Sequence, residues 1–185
     1  MIPAIPTRYA GVTYRSRLEA RWAVMFDALG WPFTYEPVDL ERYIPDFVLT
    51  FPAGPVAVEV KPEHYLKDLE KHARHIAMAG WKGETLAVGA AMFAEQSWRW
   101  DAIIGALGER YEGEICVNSG CVFTCLDCGL DSLRSHEGSW TCRFNGCYGG
   151  NAHVGEYSPD QLKAIFAAAG NRVQWFPRHD PEAAE

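Results

Sequence analysis

Apolar residues recur along the first half of the chain with two different periods, and the changes of period divide it into elements. Between Tyr14 and Leu29, the residues Leu18, Trp22, Met25, Phe26 and Leu29 fall on one helical face, and Gly30 followed by Pro32 supplies a stop. The period then drops to two. Phe33 to Pro37 reads as a short extended segment, and Ile44 to Phe51 as a strand with Phe47, Leu49 and Phe51 on one face and Asp46, Val48 and Thr50 on the other. After the Pro52-Ala53-Gly54-Pro55 turn, Val56, Val58 and Val60 share a face, so Glu59 and Lys61 emerge together from the opposite one. A second helix is predicted from His64 to Ala79, with Leu66, Leu69, Ala73, Ile76 and Ala77 as its stripe and Gly80 as its stop. Thr85 to Ala91 reads as an apolar strand beside the third, and Ser97 to Arg110 as a helix with Trp98 and Trp100 as packing groups. Residues 1–13, rich in proline, read as an irregular arm. The resulting α-β-β-β-α-β order predicts an α/β fold with a mixed sheet flanked by helices.

Beyond residue 113 the pattern changes. Residues 114–157 are rich in Cys, Gly and Ser, and the spacing Cys125-x2-Cys128, thirteen residues, Cys142-x4-Cys147 is that of two zinc knuckles. Four thiolates would close a tetrahedral shell around Zn²⁺, with Gly129 and Gly146 permitting the tight turns. Cys121, His136 or His153 stands as an alternative ligand, and Cys116 reads as a buried small apolar residue. A last helix starts at Ser158 as N-cap with Pro159 at N1, turns Leu162, Ile165 and Phe166 inward, and stops at Gly170-Asn171. Val173, Trp175 and Phe176 then return to the core. The expected organisation is a core over residues 1–113, a small four-cysteine zinc-ribbon-like module over 114–157, a packing helix and return segment over 158–178, and a disordered acidic tail over 179–185.

Composition narrows the function classes. No apolar run is long enough to span a bilayer and the N-terminus lacks a secretory pattern, so the expectation is a cytoplasmic protein with no membrane partner. With no export signal, and five of the six cysteines between residues 121 and 147, metal binding is a better reading than disulfides. The net charge of −7 argues against unselective wrapping of nucleic acid, but local basic groups remain at Arg8, Arg15, Arg17 and Arg21, and at Lys67, Lys71 and Arg74. Arg15, Arg17, Lys67, Lys71 and Arg74 are the candidate phosphate contacts. Arg134, Arg143 and Trp140 are further candidates beside the cysteines. No role is assigned to His64, His72 or His75.

The candidate chemistry lies in the strand-turn-strand unit. Antiparallel pairing brings Asp46 towards Glu59, and their carboxylates suit a hard cation such as Mg²⁺ or Mn²⁺ that keeps open water positions. Glu19 lies at the margin of the first helical stripe, within about 20° of Phe26, where it could bind a second ion or orient a water. The Lys61 ammonium would stabilise charge developing at a phosphate.

These residues carry a resemblance. Pro45-Asp46, then Glu59-Val60-Lys61, preceded by Glu19 in Arg15-Ser16-Arg17-Leu18-Glu19-Ala20-Arg21-Trp22, resembles the PD-(D/E)xK nuclease superfamily. The Tyr-Ile-Pro-Asp-Phe and Val-Glu-Val-Lys phrases are most similar to small phage and transposon-associated endonucleases, over roughly half the chain. The resemblance implies a restriction-endonuclease-like core, DNA as substrate, catalytic residues Glu19, Asp46, Glu59 and Lys61, Mg²⁺ or Mn²⁺ as cofactor, and hydrolysis to 5′-phosphate and 3′-hydroxyl ends. A homodimer stays open. The competing expectation is a non-catalytic, zinc-stabilised nucleic-acid-binding or protein-interaction module on a nuclease-like scaffold.

Overall fold

Thirteen elements follow one another in the computed structural model, which describes residues 4–40, 43–93, 102–137, 141–148 and 154–174. They are β1 (Thr7–Tyr9), β2 (Val12–Tyr14), α1 (Arg17–Ala28), β3 (Phe33–Tyr35), β4 (Phe47–Phe51), β5 (Gly54–Val60), α2 (Leu66–Met78), β6 (Glu84–Val88), β7 (Ala102–Tyr111), β8 (Glu114–Cys125), β9 (Asp131–Ser135), β10 (Val154–Gly155) and α3 (Pro159–Arg172). Strands β3 to β10 form a mixed sheet in the order β10-β8-β7-β6-β5-β4-β3, with β9 also paired to β8. Pairing is antiparallel except between β5 and β6, which run parallel and are joined through α2.

The helices cover opposite faces. Val56, Val58 and Val60 join Phe47, Leu49, Trp22, Phe26 and the α3 residues Leu162 and Phe166 in the larger core, whereas Leu69 and Ala73 of α2 pack with Ala87, Ala106 and Cys121 on the other side. Helix α1 ends as its sequence predicts. Gly30 adopts φ +68°, and the Gly30 and Trp31 amides return to the carbonyls of Asp27 and Phe26, which a β-carbon at position 30 would oppose. The Trp22 indole donates to the Gly89 carbonyl at 2.8 Å and anchors α1 to the end of β6.

Several expectations are corrected. The N-terminal arm is not irregular from residue 7 onward, because Thr7–Tyr9 and Val12–Tyr14 close a hairpin through Ala10-Gly11; α1 accordingly begins at Arg17 and not at Tyr14. The helix expected over 97–110 is strand β7 where it is described: Ala102–Tyr111 pairs with both β6 and β8, so tertiary pairing overrides local propensity. Trp98 and Trp100 lie outside the described residues. The boundary at 113/114 falls in the β7–β8 turn, so the cysteine-bearing segment grows out of the main sheet. Helix α3 continues through Gly170 and Asn171 to Arg172, its Ser158 cap makes no side-chain hydrogen bond, and Val173 is buried. Trp175, Phe176 and the acidic tail lie outside the described residues, and no described helix is long and apolar enough to cross a membrane.

Candidate functional site

Asp46, Glu59 and Glu19 are the buried carboxylates among the described residues. Three elements bring them to one end of the sheet. Asp46 immediately precedes β4, Glu59 lies near the end of β5, and Glu19 occupies the first turn of α1. The Phe47–Val58 register sets Asp46 across from Glu59. This end also holds the carboxyl termini of the parallel pair β5 and β6, where the Lys61 amide donates to the Val88 carbonyl. Ligands of open α/β sheets bind outside such strand ends.

Each carboxylate is held by named partners. Asp46 accepts the Val60 amide on Oδ2 at 2.8 Å and the Arg15 guanidinium on Oδ1 at 2.6 Å. Glu59 accepts the Tyr43 hydroxyl and pairs with the Lys61 ammonium. Glu19 accepts the Ser16 hydroxyl at 2.7 Å, the Tyr35 hydroxyl at 2.6 Å and the Arg15 amide at 3.2 Å, while its own amide donates to Ser16 Oγ. This reciprocal Ser16–Glu19 arrangement is a capping-box variant, and the Ser16-x-x-Glu19 spacing was the signal for it.

Burial pushes the Asp46 carboxyl up to about 7, with neighbouring Glu59 acting in the same direction and the Val60 amide against it. Contact with Arg15 also favours the ionised form. Burial and the bond to Glu59 raise the Tyr43 phenol, and burial and the bond to Glu19 push Tyr35 up to about 12. Both phenols therefore remain donors at neutral pH. Arg15 also pairs with Glu36 at 2.8 Å and approaches Glu19 at 3.9 Å.

The expected residues thus share a neighbourhood, yet the oxygens of Glu19, Asp46 and Glu59 do not all gather within 4.8 Å of one another. The one group of three or more ligand atoms within 4.8 Å of one another, among the described residues, is the cysteine cluster. Among the candidate phosphate contacts, Arg15 turns towards Asp46, Glu36 and Glu19. Of the other candidates, Arg17 lines a groove between α1 and α3 together with Arg21 and Asn171, and Lys67 lies over the exposed Tyr65 ring. Lys71 pairs with Glu63 at 3.3 Å, and Arg74 donates to the Ile115 carbonyl. Tyr35 and Glu36 escaped the sequence reading, Glu36 carrying no spacing signal, and Tyr43 was quoted within the Tyr-Ile-Pro-Asp-Phe phrase without a role.

At the opposite end of the β4–β5 hairpin, Cys125, Cys128, Cys142 and Cys147 gather their sulfurs within 4.8 Å and could hold a metal such as zinc. The two knuckles form matching turns. Gly129 donates to the Cys125 carbonyl and Gly146 to that of Cys142, with φ of +73° and +64° respectively. The backbone amide of Leu130 holds the Cys128 thiol down at about 7, whereas burial raises the Cys142 thiol and pushes that of Cys147 up to about 12. Cys116 is exposed, contrary to expectation, and Cys121 packs in the α2-side core. His153 lies outside the described residues.

Arg143 ties this cluster to the sheet. Its guanidinium pairs with Glu84 and donates to the Leu133 carbonyl, its amide donates to Ser132, and its carbonyl accepts from Ala53 in the β4–β5 turn. Arg134 is buried and donates to the carbonyls of Ser135 and His136. Neither arginine is presented outward as expected, and Trp140 lies outside the described residues. The five-residue rise from Gly54 to Glu59 separates the two ends of the hairpin by about 17 Å. No family model, curated protein or solved structure matches the chain.

Proposed function

We propose that the chain is a metal-dependent DNA endonuclease with a restriction-endonuclease-like core and a structural zinc site. The observation that carries the reading is the burial of Glu19, Asp46 and Glu59 at one strand end, beside Lys61. Burying a carboxylate costs several kcal/mol unless cations or donors compensate it, and the three carboxylates here share two cationic side chains, Arg15 and Lys61, so a divalent ion would complete the charge balance. Oxygen donors of this kind fit Mg²⁺ or Mn²⁺. Asp46 and Glu59 would hold the ion, with the Val60 carbonyl a further donor.

A bound divalent ion supplies charge neutralisation at the phosphate and a water acidic enough to attack near neutral pH. The protein's own groups do the rest. Tyr43 fixes the Glu59 carboxylate, Val60 fixes Asp46, and the Lys61 ammonium stabilises negative charge on the phosphate oxygens. Products with 5′-phosphate and 3′-hydroxyl ends are expected. Zinc on the four thiolates would be structural, because four protein ligands leave no open position and the cluster sits at the far end of the hairpin.

The Arg15–Asp46 contact favours a second reading, in which the acids are permanently neutralised and the chain is a zinc-stabilised nucleic-acid-binding or protein-interaction module. Supercoiled, linear, single-stranded and branched DNA, incubated with the protein with and without Mg²⁺ or Mn²⁺, separates the two. Metal-dependent cleavage of any substrate supports the endonuclease; binding without cleavage supports the module.

A further inference from the structure

Arg15 occupies an unusual place for a residue outside the helix it precedes. Its Nη2 lies 2.6 Å from Asp46 Oδ1, and its Nε lies 2.8 Å from Glu36 Oε1 and 3.9 Å from Glu19 Oε2. The guanidinium is therefore shared among acids from α1, from the residue after β3 and from the residue before β4. Its side chain is nonetheless 58% exposed while that of Asp46 is 5% exposed, so the cation reaches the buried oxygen from the solvent side. Glu36 steadies this reach from a left-handed backbone conformation, φ +46°, and its amide donates to the Asp46 carbonyl.

We propose that Arg15 is a built-in competitor of the divalent ion: it neutralises Asp46 in the metal-free protein and leaves Oδ1 when the metal binds. This rests on the endonuclease reading, because it takes Asp46 as a metal ligand. A guanidinium 2.6 Å from Oδ1 occupies one lone pair of that oxygen and sets a positive charge beside any cation that approaches it, so the Arg15 contact and ion binding oppose each other. Arg15 has a route outward, its side chain being exposed to solvent ahead of α1, whereas Asp46 is buried and held by the Val60 amide. Metal affinity is then set by the fraction of molecules in which Oδ1 is free. The exchange prevents uncompensated acids from repelling one another in the empty site, and makes the site selective for cations that bind strongly enough to displace an arginine.

Two measurements on the full chain test this. Calorimetric titration with Mn²⁺ compares the wild type, Arg15→Gln and Asp46→Asn, at a pH above the Asp46 titration. The proposal expects Arg15→Gln to bind Mn²⁺ about tenfold more tightly, and Asp46→Asn to lose binding. Equal or weaker binding by Arg15→Gln, with Asp46→Asn still losing it, overturns the competitor role and leaves the metal site standing. Mn²⁺ binding that is absent from the wild type, or undiminished in Asp46→Asn, overturns both. In case Arg15→Gln folds poorly, the Arg15 Nε–H resonance of the wild type is followed by NMR during Mg²⁺ titration. It should move and exchange faster with water as the site fills; saturation by Mg²⁺ with that signal unmoved overturns the proposal.

Discussion

The backbone amide of Val60 donates to Oδ2 of Asp46 over 2.8 Å, so the strand that carries Glu59 and precedes Lys61 also fixes the orientation of the second carboxylate. An asparagine at position 46 can keep that hydrogen bond through its side-chain oxygen while losing the charge. Asp46→Asn should therefore fold, retain the zinc cluster, and lose Mn²⁺ binding, as measured by circular dichroism, metal analysis and calorimetry.

The pH dependence of stability follows from the same residue. The folded-state Asp46 pKa is raised from 3.8 to about 7, so between those values the folded chain retains a proton that the unfolded chain has lost. Stability of the divalent-ion-free protein should fall as pH rises through that window and become insensitive to this group above it. The fall is at most about 4 kcal/mol and is reduced by the Arg15 contact. Urea unfolding from about pH 4 to about pH 8 measures it, and Asp46→Asn should lack this component.

Tyr43 donates to Glu59 and packs edge-on against His75 at 5.0 Å between ring centroids. Tyr43→Phe keeps the ring and deletes the donor. It should cost about 1 to 2 kcal/mol in denaturant unfolding of the ion-free protein, and weaken Mn²⁺ binding by releasing the Glu59 carboxylate.

The cysteine cluster should behave independently of the carboxylate end. One tightly bound zinc per chain is expected by metal analysis. Chelation or Cys142→Ser should lower the melting temperature, because the knuckles carry the Arg143 contacts to β4–β5, β6 and β9. Full retention of melting temperature after removal of the metal would contradict a structural role.

Much of the central architecture was legible where a single period dominated. The alternation in Val56, Val58 and Val60 located β5 and its faces, and the Leu18–Leu29 stripe with Gly30 located α1. Strand β7 was not legible. Its run Ala102-Ile103-Ile104-Gly105-Ala106-Leu107 is buried on both faces of a central strand, where no alternation survives and a helix reads equally well. The meeting of Asp46 and Glu59 at one strand end was readable because strand period and antiparallel register agree, and Glu19 reached the same neighbourhood from the margin of the α1 stripe. Arg15 and Glu36 were not, since their meeting depends on how the residue before α1, the residue after β3 and the start of β4 pack together.

The central claim is tested most directly by nicking of supercoiled DNA by purified wild-type, Asp46→Ala and Lys61→Ala proteins, with Mg²⁺ or Mn²⁺ and with a chelator. The account predicts cleavage by the wild type only when a divalent ion is present, and none by either variant although both remain folded. Undiminished nicking by folded Asp46→Ala protein would contradict it.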